Sequence, residues 1–197
     1  MPRTATAGSL TPFQSSINEA LEVFENLRVL EADFTRAIDL VRNCLSAGGK
    51  LLVCGNGGSA ADSSHIATEF TCRLKNDRRP YPAIALSADG ALLTAVANDY
   101  GFQEIFARQV QAFAKPGDVL IALSTSGKSR NVLSAIEEAR RREMKTLALL
   151  GKGGGFTAGA ADINLIVRSD STARIQEVHK FLLHVLCEVV EAGLEDE

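Results

Sequence analysis

Five short apolar runs separated by helical segments constrain this chain more than any other feature. They lie at 50–54 (KLLVC), 83–87 (AIALS), 119–123 (VLIAL), 146–150 (TLALL) and 163–167 (INLIV). Runs of that length bounded by glycine, proline or serine read as strands buried on both faces. Between them the apolar residues recur at helical spacing over about 60–70, 91–97, 102–114 and 130–142, and a long final helix covers about 172–192. Strands alternating with helices at this interval predict an α/β fold: a five-stranded, mostly parallel sheet covered by helices on both faces. Ligands of such sheets sit beyond the carboxyl ends of the strands, where strand order reverses.

Ahead of the first strand, Ile17, Leu21, Phe24, Leu27 and Leu30 mark one helix, and Phe34, Ile38, Val41 and Leu45 a second that stops at Gly48 and Gly49. This predicts an N-terminal helical hairpin longer than a sheet cover needs, and so one that packs on a partner subunit. At 197 residues the chain suits one domain, with residues 1–48 as oligomer-packing helices and 49–197 as the α/β core. The formal net charge of −3 leaves no basic field for nucleic acid. The polar N-terminus has no apolar signal core, and no apolar run approaches the ~20 residues that span a bilayer. Cys44, Cys54, Cys72 and Cys187 form no C-x-x-C pair, which points to reduced structural thiols of a cytoplasmic protein.

Two loops follow strands and open helices. Gly55-Asn56-Gly57-Gly58-Ser59 lets the backbone approach a ligand at a helix start, with Ser59 as the expected cap and Asp62 completing a weak capping box. Alone it reads equally as a tight turn, and it is neither a dinucleotide nor a nucleoside triphosphate fingerprint. Ser124-Thr125-Ser126-Gly127-Lys128-Ser129 adds four hydroxyls within six residues. Hydroxyls and backbone N–H groups at a second strand end point to a phosphate pocket.

Only three histidines occur. His65 and Glu69 are spaced i, i+4 on one helix face, a spacing that suits a shared metal, a base with its partner, or a plain surface pair. His184 falls in an apolar stretch of the last helix and is expected to be buried; His179 reads as an ordinary helix residue. Gln176 and His184 are eight residues apart on that helix, roughly 12 Å along its axis, so a site containing both would draw them from different subunits. Asn98-Asp99-Tyr100-Gly101 reads as a turn, and 151–155 (GKGGG) as the loosest loop.

Taken together, these residues resemble the bacterial phosphoheptose isomerases of the sugar isomerase (SIS) domain family. The likeness rests on Cys54 to Ser59, His65 with Glu69, Arg79-Pro80 with 82–86 (PAIAL), Asn98-Asp99, Ser124 to Gly127 with Ser129, 174–177 (RIQE) and His184. It implies conversion of sedoheptulose 7-phosphate to D-glycero-D-manno-heptose 7-phosphate, the first step toward nucleotide-activated heptose precursors. It further implies a homotetramer with sites at subunit borders, one zinc ion per site, and no nucleotide or organic cofactor. Ser124, Thr125, Ser126 and Ser129 would bind the phosphate, and Asn56, Gly57, Gly58, Ser59, Glu69, Asn98, Asp99 and Gln176 the rest of the substrate. His65, Glu69, Gln176 and His184 would form the metal set, with Glu69 and His184 as the proton-transfer pair. The sequence departs from the family pattern at Lys128, Cys72 and Ala173. Two other readings stay open: a non-catalytic SIS-domain regulator of the kind associated with replication initiation, and an isomerase for another sugar phosphate.

Overall fold

A computed structural model describes residues 10–195. The chain begins with α1 (Pro12–Glu25), a 3-10 stretch (Asn26–Leu30) and α2 (Glu31–Ser46). It continues through β1 (Leu51–Gly55), α3 (Gly58–Thr71), β2 (Ala83–Ala85), α4 (Gly90–Tyr100), α5 (Ala107–Phe113) and β3 (Val119–Ser124). Then come α6 (Arg130–Arg141), β4 (Lys145–Gly151), β5 (Ile163–Val167) and α7 (Thr172–Glu195). All five expected strands are present. Every neighbouring pair is parallel, in the order β2-β1-β3-β4-β5.

The two faces of the sheet bury alternate residues of the same strands, as a doubly covered sheet requires. Leu51, Val53, Ile121, Leu123, Leu147 and Leu149 point toward a core shared with α2, α3 and α7. Leu52, Cys54, Leu120, Ala122, Ala148 and Leu150 point toward a second core filled by Phe106, Val110, Val132, Ile136 and Ala139 of α5, α6 and their flanks. The N-terminal helices are joined by their 3-10 turn, and each packs along α7.

Strand order reverses at β1. The chain runs outward from β1 to the edge strand β2, then returns to pair β3 on the opposite side of β1. Gly55 and Leu123 are register partners, so the glycine loop and the serine loop leave the sheet side by side.

Several local expectations change. The cap of α3 is Gly57, at φ 57°, rather than Ser59, which is already helical and buried. Asp62 makes no capping box and instead reaches Lys180 of α7. Asn98, Asp99 and Tyr100 are the last residues of α4, ended by Gly101 at φ 95°, rather than a turn. The segment after it breaks into a 3-10 turn (Phe102–Glu104) and α5 instead of one helix. The GKGGG stretch is no loose loop. Gly153, Gly154 and Gly155 all take positive φ, and the turn they form packs on the serine loop. There Thr157 donates from Oγ1 and N to the carbonyl of Gly127, at 2.8 and 3.1 Å. A Cβ on Gly127 would lie 1.9 Å from the Gly154 oxygen, so only glycine permits this contact.

All four thiols are unpaired; Cys44, Cys54 and Cys187 are buried and Cys72 is exposed. Burial pushes the Cys54 thiol up to about 12, which keeps it protonated and inert.

The histidines exchange the environments expected of them. His184 is only partly buried, whereas His179 is fully enclosed. His179, two residues ahead of the apolar run of α7, faces the sheet, and its Nε2 lies 3.2 Å from the Leu150 carbonyl, a contact that makes Nε2–H the donor. Burial lowers its pKa to about 4 against the opposing pull of the Leu150 carbonyl and the Asp62 carboxylate. The neutral form is therefore bound in the folded state, and the stability it supports is present above pH 6.5 and lost as pH falls toward 4. Chemical unfolding should show the wild type losing about 3 kcal/mol more than His179→Leu between pH 7 and pH 4. Parallel pH profiles for the two proteins would refute that assignment.

Candidate active site

Helices α3 and α7 lie side by side and run in the same direction. Gly58 meets Gln176, Asp62 lies 3.3 Å from Lys180, and His65 meets His184, so the partner number rises almost in step along both helices. The first of these contacts depends on a missing side chain. A Cβ on Gly58 would fall 1.8 Å from Gln176 Nε2, so the glycine lets the amide lie over the start of α3.

Two turns further along, three of the expected residues come together. Nε2 of His65 is 2.7 Å from Nε2 of His184, with the rings edge to face at 66°. Glu69 Oε1 is 3.5 Å from His65 Nε2. The two nitrogens cannot both carry a hydrogen at that spacing: one donates and the other accepts. The side chains of His65 and Glu69 are 43% and 18% exposed, so the trio opens onto the surface of the chain and a substrate can reach it. Two imidazoles and a carboxylate are ordinary zinc donors. Tetrahedral bonds of ~2.1 Å would set the two nitrogens roughly 3.4 Å apart, so the rings would have to part by a fraction of an ångström. Among the described residues no three His, Cys, Asp or Glu side chains already close round one point. Gln176 is not near the trio, since its amide lies against Gly58.

The serine loop forms a second polar group. Ser124 Oγ and Ser129 Oγ are 3.2 Å apart, and Ser126 Oγ accepts from the Lys128 N–H at 3.1 Å. Ser129 occupies the cap position of α6 without a capping bond from its side chain, which leaves its hydroxyl available to a ligand at the helix start. Thr125 and Ser126 are half-buried beside it. The loop is fastened to the glycine loop by a reciprocal amide pair. Asn56 Nδ2 donates to Asn131 Oδ1 at 2.9 Å, and Asn131 Nδ2 donates back to Asn56 Oδ1 at 2.8 Å. A cleft of about 360 Å³ opens here between Asn56, Gln103, Lys128, Ser129 and Arg130.

Asn131, Gln103 and Arg130 were not legible as site residues. They carry no motif of their own: α6 brings Arg130 and Asn131 to the glycine loop, and the 3-10 turn packed on α6 brings Gln103. Ser59 is buried beneath the glycine loop, while Gly57 and Gly58 are exposed above it. Asn98 donates to Asp99 at 2.8 Å, and Asp99 lines a different cleft, with Tyr100, Arg108 and Gln109. Within one chain these two are therefore not brought to the cleft beside Asn56.

Residues 13–151 match the SIS domain family. The chain is 46% identical over 175 residues to a phosphoheptose isomerase of Campylobacter jejuni, covering 89% of this chain and 94% of that one. It is 49% identical over 173 residues to one of Helicobacter pylori, covering 88% and 89%. The solved phosphoheptose isomerase GmhA of Neisseria gonorrhoeae superposes with a TM-score of 0.86 at 40% identity, over 90% of this chain and 96% of that one. That of Francisella tularensis gives 0.86 at 38%, over 93% and 100%. With its sheet order, paired loops and helix seam accounted for, the chain belongs to the phosphoheptose isomerase family of SIS-domain proteins.

Proposed function

We propose that this chain interconverts sedoheptulose 7-phosphate and D-glycero-D-manno-heptose 7-phosphate. The observation that carries the reading is the presence, in one domain, of a hydroxyl-lined loop at a strand end and of the trio of His65, Glu69 and His184 on the α3–α7 seam. Gly58 to His65 is seven residues of helix, roughly 10 Å of rise. A heptose whose 7-phosphate rests on the serine loop has its C1 and C2 at the far end of its chain, the end that this reading assigns to the trio.

In this reading Ser124, Thr125, Ser126 and Ser129 hold the phosphate, with the α6 N–H groups behind them. Asn56 and the open backbone of Gly57 and Gly58 receive the sugar, and Gln176 overlies them. The Glu69 carboxylate takes a proton from C1 of the ketose, giving an enediol between C1 and C2, and returns that proton to C2. His184 gives a proton to O2 and recovers one from O1, so the protons balance and no other reactant is consumed. His65 holds the imidazole partner of that exchange through its 2.7 Å contact.

His65, Glu69 and His184 are also the residues that would hold zinc, and a Gln176 ligand would have to come from a second copy. When bound, the ion would supply a positive charge beside the enediolate oxygen. Dialysis against a chelator should lower turnover and added zinc should restore it; full activity in protein shown free of metal would remove the ion from the scheme.

Assembly with further copies is supported by what α1 leaves uncovered, and the number four follows from the resemblance to the family. Phe13 is 75% exposed, and Ile17 and Leu21 follow it as one apolar stripe facing outward. Sizing at micromolar concentration should give four subunits, and a monomer would overturn this assembly. The four unpaired thiols favour a reducing compartment such as the cytoplasm. Among the described residues no helix is long and apolar enough to cross a membrane.

The regulator reading would leave the trio without purpose. Glu69→Gln separates the two: turnover of sedoheptulose 7-phosphate should fall by about 10²- to 10⁴-fold with substrate binding retained. Near-normal turnover, followed by NMR, would remove Glu69 as the base.

A further inference from the structure

Beyond the trio, α3 ends in a clamp that the proposed mechanism does not use. The Arg78 side chain is 3% exposed, in the segment between α3 and β2. Its Nη2 donates to the Glu69 carbonyl at 2.8 Å, and its Nη1 to the carbonyls of Phe70 at 2.9 Å and Arg79 at 3.1 Å, with that of Cys72 at 3.4 Å. The last carbonyls of a helix have no partners within it, and a cation there also meets the negative end of the helix dipole. The guanidinium stacks over the buried ring of Tyr81, 4.5 Å from its centroid.

The other side of the clamp belongs to α7. Glu191, whose side chain is 2% exposed, places Oε1 2.8 Å from Arg78 Nε, a charge contact rather than an aligned hydrogen bond. The same carboxylate accepts from the N–H groups of Lys75 at 3.1 Å and Leu74 at 3.4 Å, just past the end of α3. One buried ion pair thus joins the helix that carries His65 and Glu69 to the helix that carries His184. Glu191 stands two turns beyond His184, and Arg78 binds the backbone of Glu69 itself.

A buried ion pair contributes little net stability over a well-packed apolar replacement, and the best-supported use of such a pair is to select one arrangement of the elements it joins. Proton transfer depends on placement within that margin: a displacement of ~1 Å can cost roughly 100-fold in rate. We infer that Arg78, with Glu191 as its counter-ion, is a positioning residue for the isomerisation, holding the Glu69 carboxylate in register with His184. The inference rests on Glu69 being the base. The phosphate loop lies on β3 and α6, outside the clamp, so substrate binding is not expected to follow the chemistry.

The test uses the full chain in its native assembly and two conservative variants, Arg78→Lys and Glu191→Gln, with Glu69→Gln measured alongside. Arg78→Lys keeps the charge and loses the planar fork; Glu191→Gln keeps the shape and loses the charge. The expected result is a fall in kcat of about 10- to 100-fold in each, with KM for sedoheptulose 7-phosphate within about twofold of wild type. The double variant Arg78→Met/Glu191→Leu should recover thermal stability without recovering kcat. Wild-type kcat in any of these folded proteins would overturn the inference. So would loss of the folded oligomer in both conservative variants, which would make the pair structural. If Glu69→Gln stays active, the base assignment fails instead, whatever the clamp variants do.

Discussion

The parallel contact between α3 and α7 is the constraint on which the site depends. Each helix follows a strand of an all-parallel sheet and must run back against it to reach the next position, so helices on the same face share a direction. Side by side, they present one seam on which residues far apart in sequence meet in order. Gly58 meets Gln176 at one end, His65 meets His184 in the middle, and Glu191 reaches Arg78 and the chain after α3 at the other. Beneath the seam His179 ties α7 to the end of β4 through the Leu150 carbonyl. A shift of either helix along its axis would therefore disturb all the contacts of the seam together.

The loop end of the sheet is built by backbone and hydroxyl groups rather than by charge. The reversal of strand order sets the glycine and serine loops side by side, and the Asn56–Asn131 amide pair locks them. Behind the serine loop, the left-handed glycines of the next turn approach so closely that a methyl group at Gly127 would strike the Gly154 carbonyl. In the proposed function, rigid donors at helix starts would let a protein of net charge −3 hold the substrate's phosphate. The same closeness explains why three successive glycines form a buttress here and not a slack linker.

Much of this is legible in the sequence. Five apolar runs gave all five strands: β1, β3 and β4 are enclosed on both faces and so are apolar throughout, while the short edge strand β2 is apolar though partly exposed. The two loops were legible because glycine and serine are concentrated where a strand gives way to a helix. His65 with Glu69 was legible because i, i+4 spacing forces a shared face. The errors have equally local causes. His184 looked buried because its neighbours are apolar, but in a long helix the enclosed face is chosen by what packs on it, and that face took His179. Ser59 looked like a cap because serine favours that position, but the left-handed Gly57 started the helix earlier.

By itself, the sequence determined the kind of fold and the chemical types at the candidate site: hydroxyls and bare backbone at the loops, imidazoles and a carboxylate on the helices. These follow from periodicity and residue chemistry, which act over a few residues. Tertiary structure alone decided which of them meet. It brought His184 of the last helix to His65 of the third, and placed Gln176 over Gly58 instead of beside that pair. It also buried Arg78 against Glu191, more than 100 residues away. Such pairings depend on the register of two helices on a twisted sheet, a quantity set by the packing of the whole core and written in no local stretch of the chain.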